Sequence, residues 1–458
     1  MNSKGTILTL VLVFSIILAL TGMAFLYLSS QQRIVTIREI NRVKSFYLAE
    51  AGIERTFSWL MGYSGIPEET YGYGTPFDPF NGEQYLGPDG GYYKVTVYPD
   101  IQNKENPTEL YYTISSTGNI GNVSKCITQR IKIINFARFA YFSNYEYEGG
   151  ADNVPIRDRI YFATCDKFEG PVHSNDLISI AGHPTFSDIN KDGHLDITTA
   201  KGFYFLSSDL QEELPLKFHK TPEILMLRKW NIERLRNIAE QQKNAKPPTG
   251  LVLNGPQDIV LEDTKLKYNG VNWDIPPSSA IVFVNGDIVS LKSGRDRHNN
   301  IIELEKYLTI VSSGSIYITD SIKYDKDNQG NYKGMLGVVA SSSVVVSTTA
   351  PSNLEIDAVI VALGGSFFVE DWNTKFDKSV STTTQPVGYL TVFGGVIQNI
   401  RRPVGTATPV SNDTITGYNK ASYKYDDRVL KKPPPFFPKA IYVVEPIYWK
   451  ELPTQVKL

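Results

Sequence analysis

The residues best placed to do chemistry are the side-chain oxygens of Asp188-Ile189-Asn190-Lys191-Asp192-Gly193-His194-Leu195-Asp196. Oxygen ligands at relative positions one, three, five and nine, with a glycine at six for the sharp turn, form the first part of a calcium loop. A hard cation takes six to eight oxygens, and this spacing wraps carboxylates around one point. The set Asp188, Asn190, Asp192, His194 and Asp196 is therefore a candidate Ca2+ site. Its twelfth position is Thr199 rather than a bidentate glutamate, so another segment would have to complete the shell. A solvated Asp/Asn/Gly turn is the competing reading of the same residues.

Other candidates are weaker. Asp325-Lys326-Asp327-Asn328-Gln329-Gly330 reads as a hairpin loop rather than a second cation site. His173, His183 and His194 with Cys165 lack the pairwise spacing of zinc ligands. No HExxH, GxSxG or P-loop occurs, and the carboxylates Asp287, Glu303, Glu355 and Asp357 are scattered among turn residues. The expectation is a chain that is not an enzyme. Cys126 and Cys165 are the only cysteines; they pair in an oxidising compartment or stay as two buried thiols.

The elements that hold these residues follow from composition and pattern. A net charge of -2 without a long basic block argues against nucleic acid as a partner. With 458 residues the chain exceeds one ordinary core, and its 27 Tyr and 22 Phe among many Val, Ile, Thr and Gly suit strands and turns. Residues 6–28 carry no charge and reach about 34 Å as a helix, enough for a hydrocarbon core. Beyond them Ile34, Ile37, Ile40, Val43, Phe46, Tyr47, Ala51, Phe57 and Leu60 recur at helical spacing, which predicts one rod over 6–61. Its apolar stripe is expected to dock on the body.

The short leader ending Ser3-Lys4-Gly5, the apolar run from Thr6, and Tyr47-Leu48-Ala49-Glu50-Ala51-Gly52-Ile53-Glu54 resemble the N-terminus of PilX-type minor pilins of type IV pili. The resemblance covers about the first 60 residues. It implies a leader of residues 1–5, cleavage by a prepilin peptidase between Gly5 and Thr6, and other pilins or pseudopilins as partners. It also implies a single pass through the cytoplasmic membrane with the C-terminal body exported, even into a surface pilus. Lys4 before the span and Arg33, Arg38, Arg42 and Lys44 after it would by charge alone place the body inside. Major pilins carry a glutamate at the fifth mature position; here that residue is Leu10, which directs the resemblance toward a minor or tip subunit.

The body opens with an antiparallel sheet over residues 62–134, built from the alternating runs at 91–97, 110–116 and 126–133. From 135 to 458 short apolar runs recur beside glycines, as in Ala280-Ile281-Val282-Phe283-Val284 and Ala358-Val359-Ile360-Val361-Ala362, with a helical insertion near 222–242. These predict a β-helix-like solenoid, with a β-sandwich as the alternative. The fold class expected is thus α+β, mostly β. The function expected is a non-enzymatic minor pilin or pseudopilin-like subunit that primes, caps or decorates a filament tip, with adhesion to a surface glycan within its reach. The alternative is a membrane-anchored envelope enzyme acting on polysaccharide through its β-helix.

Overall fold

The structure is a computed structural model that describes residues 3–63, 67–72, 74–86, 90–104, 109–147, 160–187, 197–206, 218–226, 230–373, 388–407, 414–443 and 448–451. Helix α1 (Ser3–Gly62) is unbroken and spans about 90 Å at 1.5 Å per residue. It is apolar and long enough to cross a membrane, and its apolar window is wholly exposed in the isolated chain. No proline enters it to remove a backbone donor.

The outer part of α1 lies across an antiparallel sheet formed by β1 (Gln84–Leu86), β2 (Gly91–Pro99), β3 (Glu109–Ile120) and β4 (Val123–Asn135) in that spatial order. The face that docks follows the expected apolar stripe only in part: Leu60 is buried and Phe46, Ala51 and Phe57 pack against the same core. Ser45, Ala49, Gly52, Ile53, Thr56 and Leu60 are buried, whereas Ile34, Ile37, Ile40, Val43 and Tyr47 are about half exposed or more. Small residues win because the backbones approach closely. A Cβ on Gly118 of β3 would collide with the carbonyl oxygen of Ser45 and sit 2.6 Å from the amide nitrogen of Ala49, and one on Gly52 would strike Ser116. Gly118→Val should therefore push α1 off the sheet and destabilise the chain by about 1–3 kcal/mol. Urea unfolding of the full chain in detergent micelles reads this out, and an unchanged midpoint would mean that α1 is not held at this distance.

Most of the remaining strands form a three-faced parallel solenoid, the expected β-helix-like body rather than the sandwich, with Lys265–Tyr268 and Val271–Asp274 added as an antiparallel hairpin at one edge. Its first face contains one continuous ladder: Leu251, Val282, Ile310, Val338, Ile360, Val396, Tyr141, Val172, Ile197 and Phe218. Every step of it is parallel. The second face stacks Ile288, Ile316, Val344 and Phe367. The third runs from Ile322 through Ile356, Val392, Tyr423 and Phe168 to Phe186.

The order of rungs is not the order of the chain. Entering from the small sheet, the chain starts in the middle at Tyr141–Tyr145 and stacks outward to Phe218–Lys220. The helix Trp230–Lys243 then carries it along the outside to the far end at Gly250–Asn254. From there it stacks back until Gly388–Ile400 pairs with Tyr141–Tyr145. On the third face, Thr414–Tyr425 fills the gap between the two halves, pairing with Gly388–Ile400 on one side and Lys167–Glu169 on the other.

Both sides of the first face are buried. Inside lie Val282, Ile310, Val338 and Ile360. Outside, Ile281, Phe283, Val311, Val339 and Val359 meet Ile232, Leu235 and Ile238 of the helix and Phe436 and Phe437 of the tail. Burial on both faces explains why these strands read as unbroken apolar runs rather than alternating ones. The tail then adds Lys439–Val443 and Tyr448–Glu451 antiparallel to β4, so the last strands belong to the N-terminal sheet.

Candidate functional site

The solenoid has one internal boundary, where Gly388–Ile400, last rung of the long half, meets Tyr141–Tyr145, first rung of the short half. Polar side chains knit it together. Gln398 Nε2 donates to the Tyr141 hydroxyl at 2.9 Å while its Oε1 accepts the amide of Phe367 at 2.9 Å. Asn144 Nδ2 donates to Asn399 Oδ1 at 3.0 Å, and Asn175 Nδ2 donates to Asn144 Oδ1 at 2.9 Å.

At the end of the seam Arg401 turns inward. Its Nη1 donates to Glu146 Oε2 at 2.9 Å and its Nη2 to the carbonyl of Tyr161 at 3.2 Å, with Asp166 Oδ2 at 3.9 Å. The guanidinium lies 3.9 Å from the centroid of Phe162, a stacked cation–π contact. Glu146 is fully buried and also accepts from Ser143 Oγ. Burial pushes the Asp166 carboxyl above its usual range, and the Arg401 charge only partly offsets that.

A cavity of about 240 Å³ opens beside this cluster. Phe367, Trp372, Tyr418 and Tyr423 give it aromatic walls, and Asp166, Gln398, Arg401 and Arg402 give it polar ones. Arg402 is itself stacked 3.9 Å over Phe368. Cys165 also lines the cavity, and burial raises its thiol to about 12, so the sulfur stays protonated near neutrality.

The residues singled out by spacing fall elsewhere. Asp188, Asn190, Asp192, His194 and Asp196 lie outside the described residues. Gly5 and Thr6 lie in the first turns of α1, and Leu10 is exposed. His173 is a packed core residue: its Nε2 meets Asn175 Oδ1 at 2.9 Å, its Nδ1 meets Thr198 Oγ1 at 2.7 Å, and burial lowers it to about 4. Cys126 and Cys165 are both free, one on β4 and the other at the seam. The 325–330 stretch forms a hairpin closed by the antiparallel bridge Lys326–Tyr332, with Asp327 Oδ1 accepting from the amides of Gln329 and Asn331.

Of the four scattered carboxylates, Glu303, Glu355 and Asp357 gather about Lys323 on the third face, with Lys323 Nζ 2.6 Å from Glu355. Asp287 stands at a different corner, capping the amide of Ser315 at 2.7 Å. Among the described residues no group of three or more His, Cys, Asp or Glu is placed to hold a metal.

Arg401, Glu146, Asp166 and Trp372 carried no sequence signal, since Arg401 and Glu146 are 255 positions apart. The one local hint is the pair Arg401-Arg402 directly after an apolar strand.

Among known proteins, a family described as a domain of unknown function (DUF4900) matches residues 108–191, from β3 to the strand Thr185–Ser187. No curated protein matches the chain. Among solved structures, the competence-associated pilin ComZ from Thermus thermophilus is similar at 12% identity, covering 90% of this chain and 98% of that one, with a TM-score of 0.34.

Proposed function

We propose that the chain is a non-enzymatic, pilin-like subunit, anchored by α1 in the cytoplasmic membrane and carrying its solenoid on the exported side as a minor or tip component of a filament. The observation that carries this reading is α1 itself: one continuous helix whose apolar half is bare while its outer half is docked on an antiparallel sheet. The sequence Ser3-Lys4-Gly5-Thr6 at its start supports processing after Gly5.

Two further features fit. Ile34, Ile37, Ile40 and Val43 are exposed on α1 between the apolar span and the docked stretch, where the helices of other subunits would cover them. Leu10 replaces an acidic side chain that would otherwise need a partner charge in lipid, so this subunit can sit where no neighbour supplies one. A body this large suits a filament end, where it is not repeated at every step.

Co-expression with the matching prepilin peptidase tests the reading. The mature chain should begin at Thr6 by intact mass and should co-purify with sheared filaments. Retention of Met1 through Gly5 with and without the peptidase, and absence from sheared filaments, would sink it.

A further inference from the structure

The cavity at the seam has the features of a built site rather than a packing gap. Asp166 is nine-tenths buried and lines it, yet only its Oδ2 is engaged, by the amide of Ala163 at 2.9 Å. Among the described residues its Oδ1 has no hydrogen-bond partner. Tyr423 is 6% exposed, lines the same space, and its hydroxyl likewise makes no hydrogen bond among the described residues. Both residues line the cavity, so the polar groups of a ligand seated there can meet these two oxygens.

The charges select the ligand. Arg401, Arg402 and Asp166 line the cavity, and Glu146, buried behind it, pairs with Arg401, so the charges at the site are close to balanced. Arg401 is already clamped by Glu146 and the Tyr161 carbonyl, which leaves little of its charge for an incoming anion. A cation would face the two guanidiniums. A neutral ligand is left, with an apolar face for Trp372 and Phe367 and hydroxyls for Asp166, Tyr423 and Gln398.

Such a ligand is a saturated ring bearing hydroxyls, and about 240 Å³ suits one ring rather than a chain. We infer that the seam cavity binds a single neutral sugar ring. Trp372 and Phe367 cover the C–H face, and Asp166 Oδ1 accepts from a ring hydroxyl. The inference stands on the cavity alone and does not depend on how α1 is processed or on any filament.

The test is calorimetric titration of the full chain in a detergent without a sugar headgroup. Its probes are the methyl glycosides of glucose, galactose and N-acetylglucosamine. At least one should bind at a single site with a dissociation constant on the order of 1 mM. Asp166→Asn and Trp372→Ala should each weaken it about tenfold, as expected for the loss of one hydrogen bond or one stacking face. Glucuronate and glucosamine should bind more weakly than the neutral ring. A matching disaccharide distinguishes the two sources: equal binding assigns the end of a glycan, and loss of binding assigns a free monosaccharide.

Asp166 is buried, so a misfolded Asp166→Asn leaves Trp372→Ala, at a half-buried position, to decide. No saturable binding of any neutral glycoside, tighter binding of a charged sugar or of a nucleoside, or an affinity unmoved by Trp372→Ala would each overturn the inference.

Discussion

Arg401→Met will lower the unfolding free energy of the full chain by about 3–5 kcal/mol, because it strands two acids that the fold has taken out of water. Glu146 is fully buried and Asp166 is 9% exposed, and Arg401 is the cation in contact range of both. Methionine is close to the arginine stem in length but carries neither the charge nor the guanidinium that stacks on Phe162. The loss is therefore chiefly electrostatic. Pairing it with Glu146→Gln should restore much of the stability, since a neutral amide can still accept from Ser143 and no longer needs a countercharge. Chemical unfolding of the four proteins in detergent micelles gives the cycle. Equal losses in the single and the double variant would show that the charge pair is not what closes the seam.

The size of that effect follows from topology. A solenoid wound in chain order holds each rung to a neighbour made just before or after it, so its contacts are local. Here the rungs of residues 250–400 are stacked ahead of those of residues 141–220, and the joint between them brings together residues far apart in sequence. The entropy of closing so long a loop is regained only through contacts at the joint. Gln398 with Tyr141, Asn399 with Asn144 and Arg401 with Glu146 supply them, and Thr414–Tyr425 seals the third face.

This joint also explains what could be read from the sequence and what could not. Runs such as 280–284 and 358–362 announce parallel strands buried on both sides, because their residues need no distant partner to reveal that burial. The long N-terminal helix is legible for the same local reason. Its docking face was legible only in part: Phe46, Ala51, Phe57 and Leu60 of the stripe pack on the sheet, but Ile37, Ile40 and Val43 stay exposed and the close contact with β3 is made through Ser45, Ala49 and Gly52. Close backbone approach depends on what lies opposite, and Gly118 is remote in sequence. The helix predicted near 222–242 occurs at Trp230–Lys243, with residues 221–226 lying outside it despite Leu225 and Met226. The seam cavity was invisible for the strongest reason: Asp166, Trp372, Arg401 and Tyr423 come from four separate stretches, and beyond the Arg401-Arg402 pair no local pattern marks them. Spacing highlighted Asp188–Asp196 instead because a calcium loop is one of the few sites encoded in a single short segment.

On the third face the expected effect has the opposite sign. Asp357 is 8% exposed on the strand Asn353–Ala362, and burial raises its carboxyl to about 7, aided by Glu355 and Asp426 and opposed by the amide of Tyr324 and by Lys323. In the unfolded chain the same group ionises near pH 3.9. Between about pH 4 and pH 7 the folded state therefore holds a proton that the unfolded state has lost, and stability falls as pH rises through that window. Below it both states are protonated and the penalty is absent; above it both are ionised and the penalty is complete. Asp357→Asn removes the ionisation while its amide oxygen can still accept from the Tyr324 amide, now 2.9 Å from Asp357 Oδ2. The variant should be more stable than the parent by on the order of 4 kcal/mol at pH 8 and by little at pH 4. Unfolding midpoints across this range measure the difference. A gap that does not change with pH would show that Asp357 is ionised throughout, held so by Lys323, and that burial on this face is weaker than the packing of Tyr324 implies.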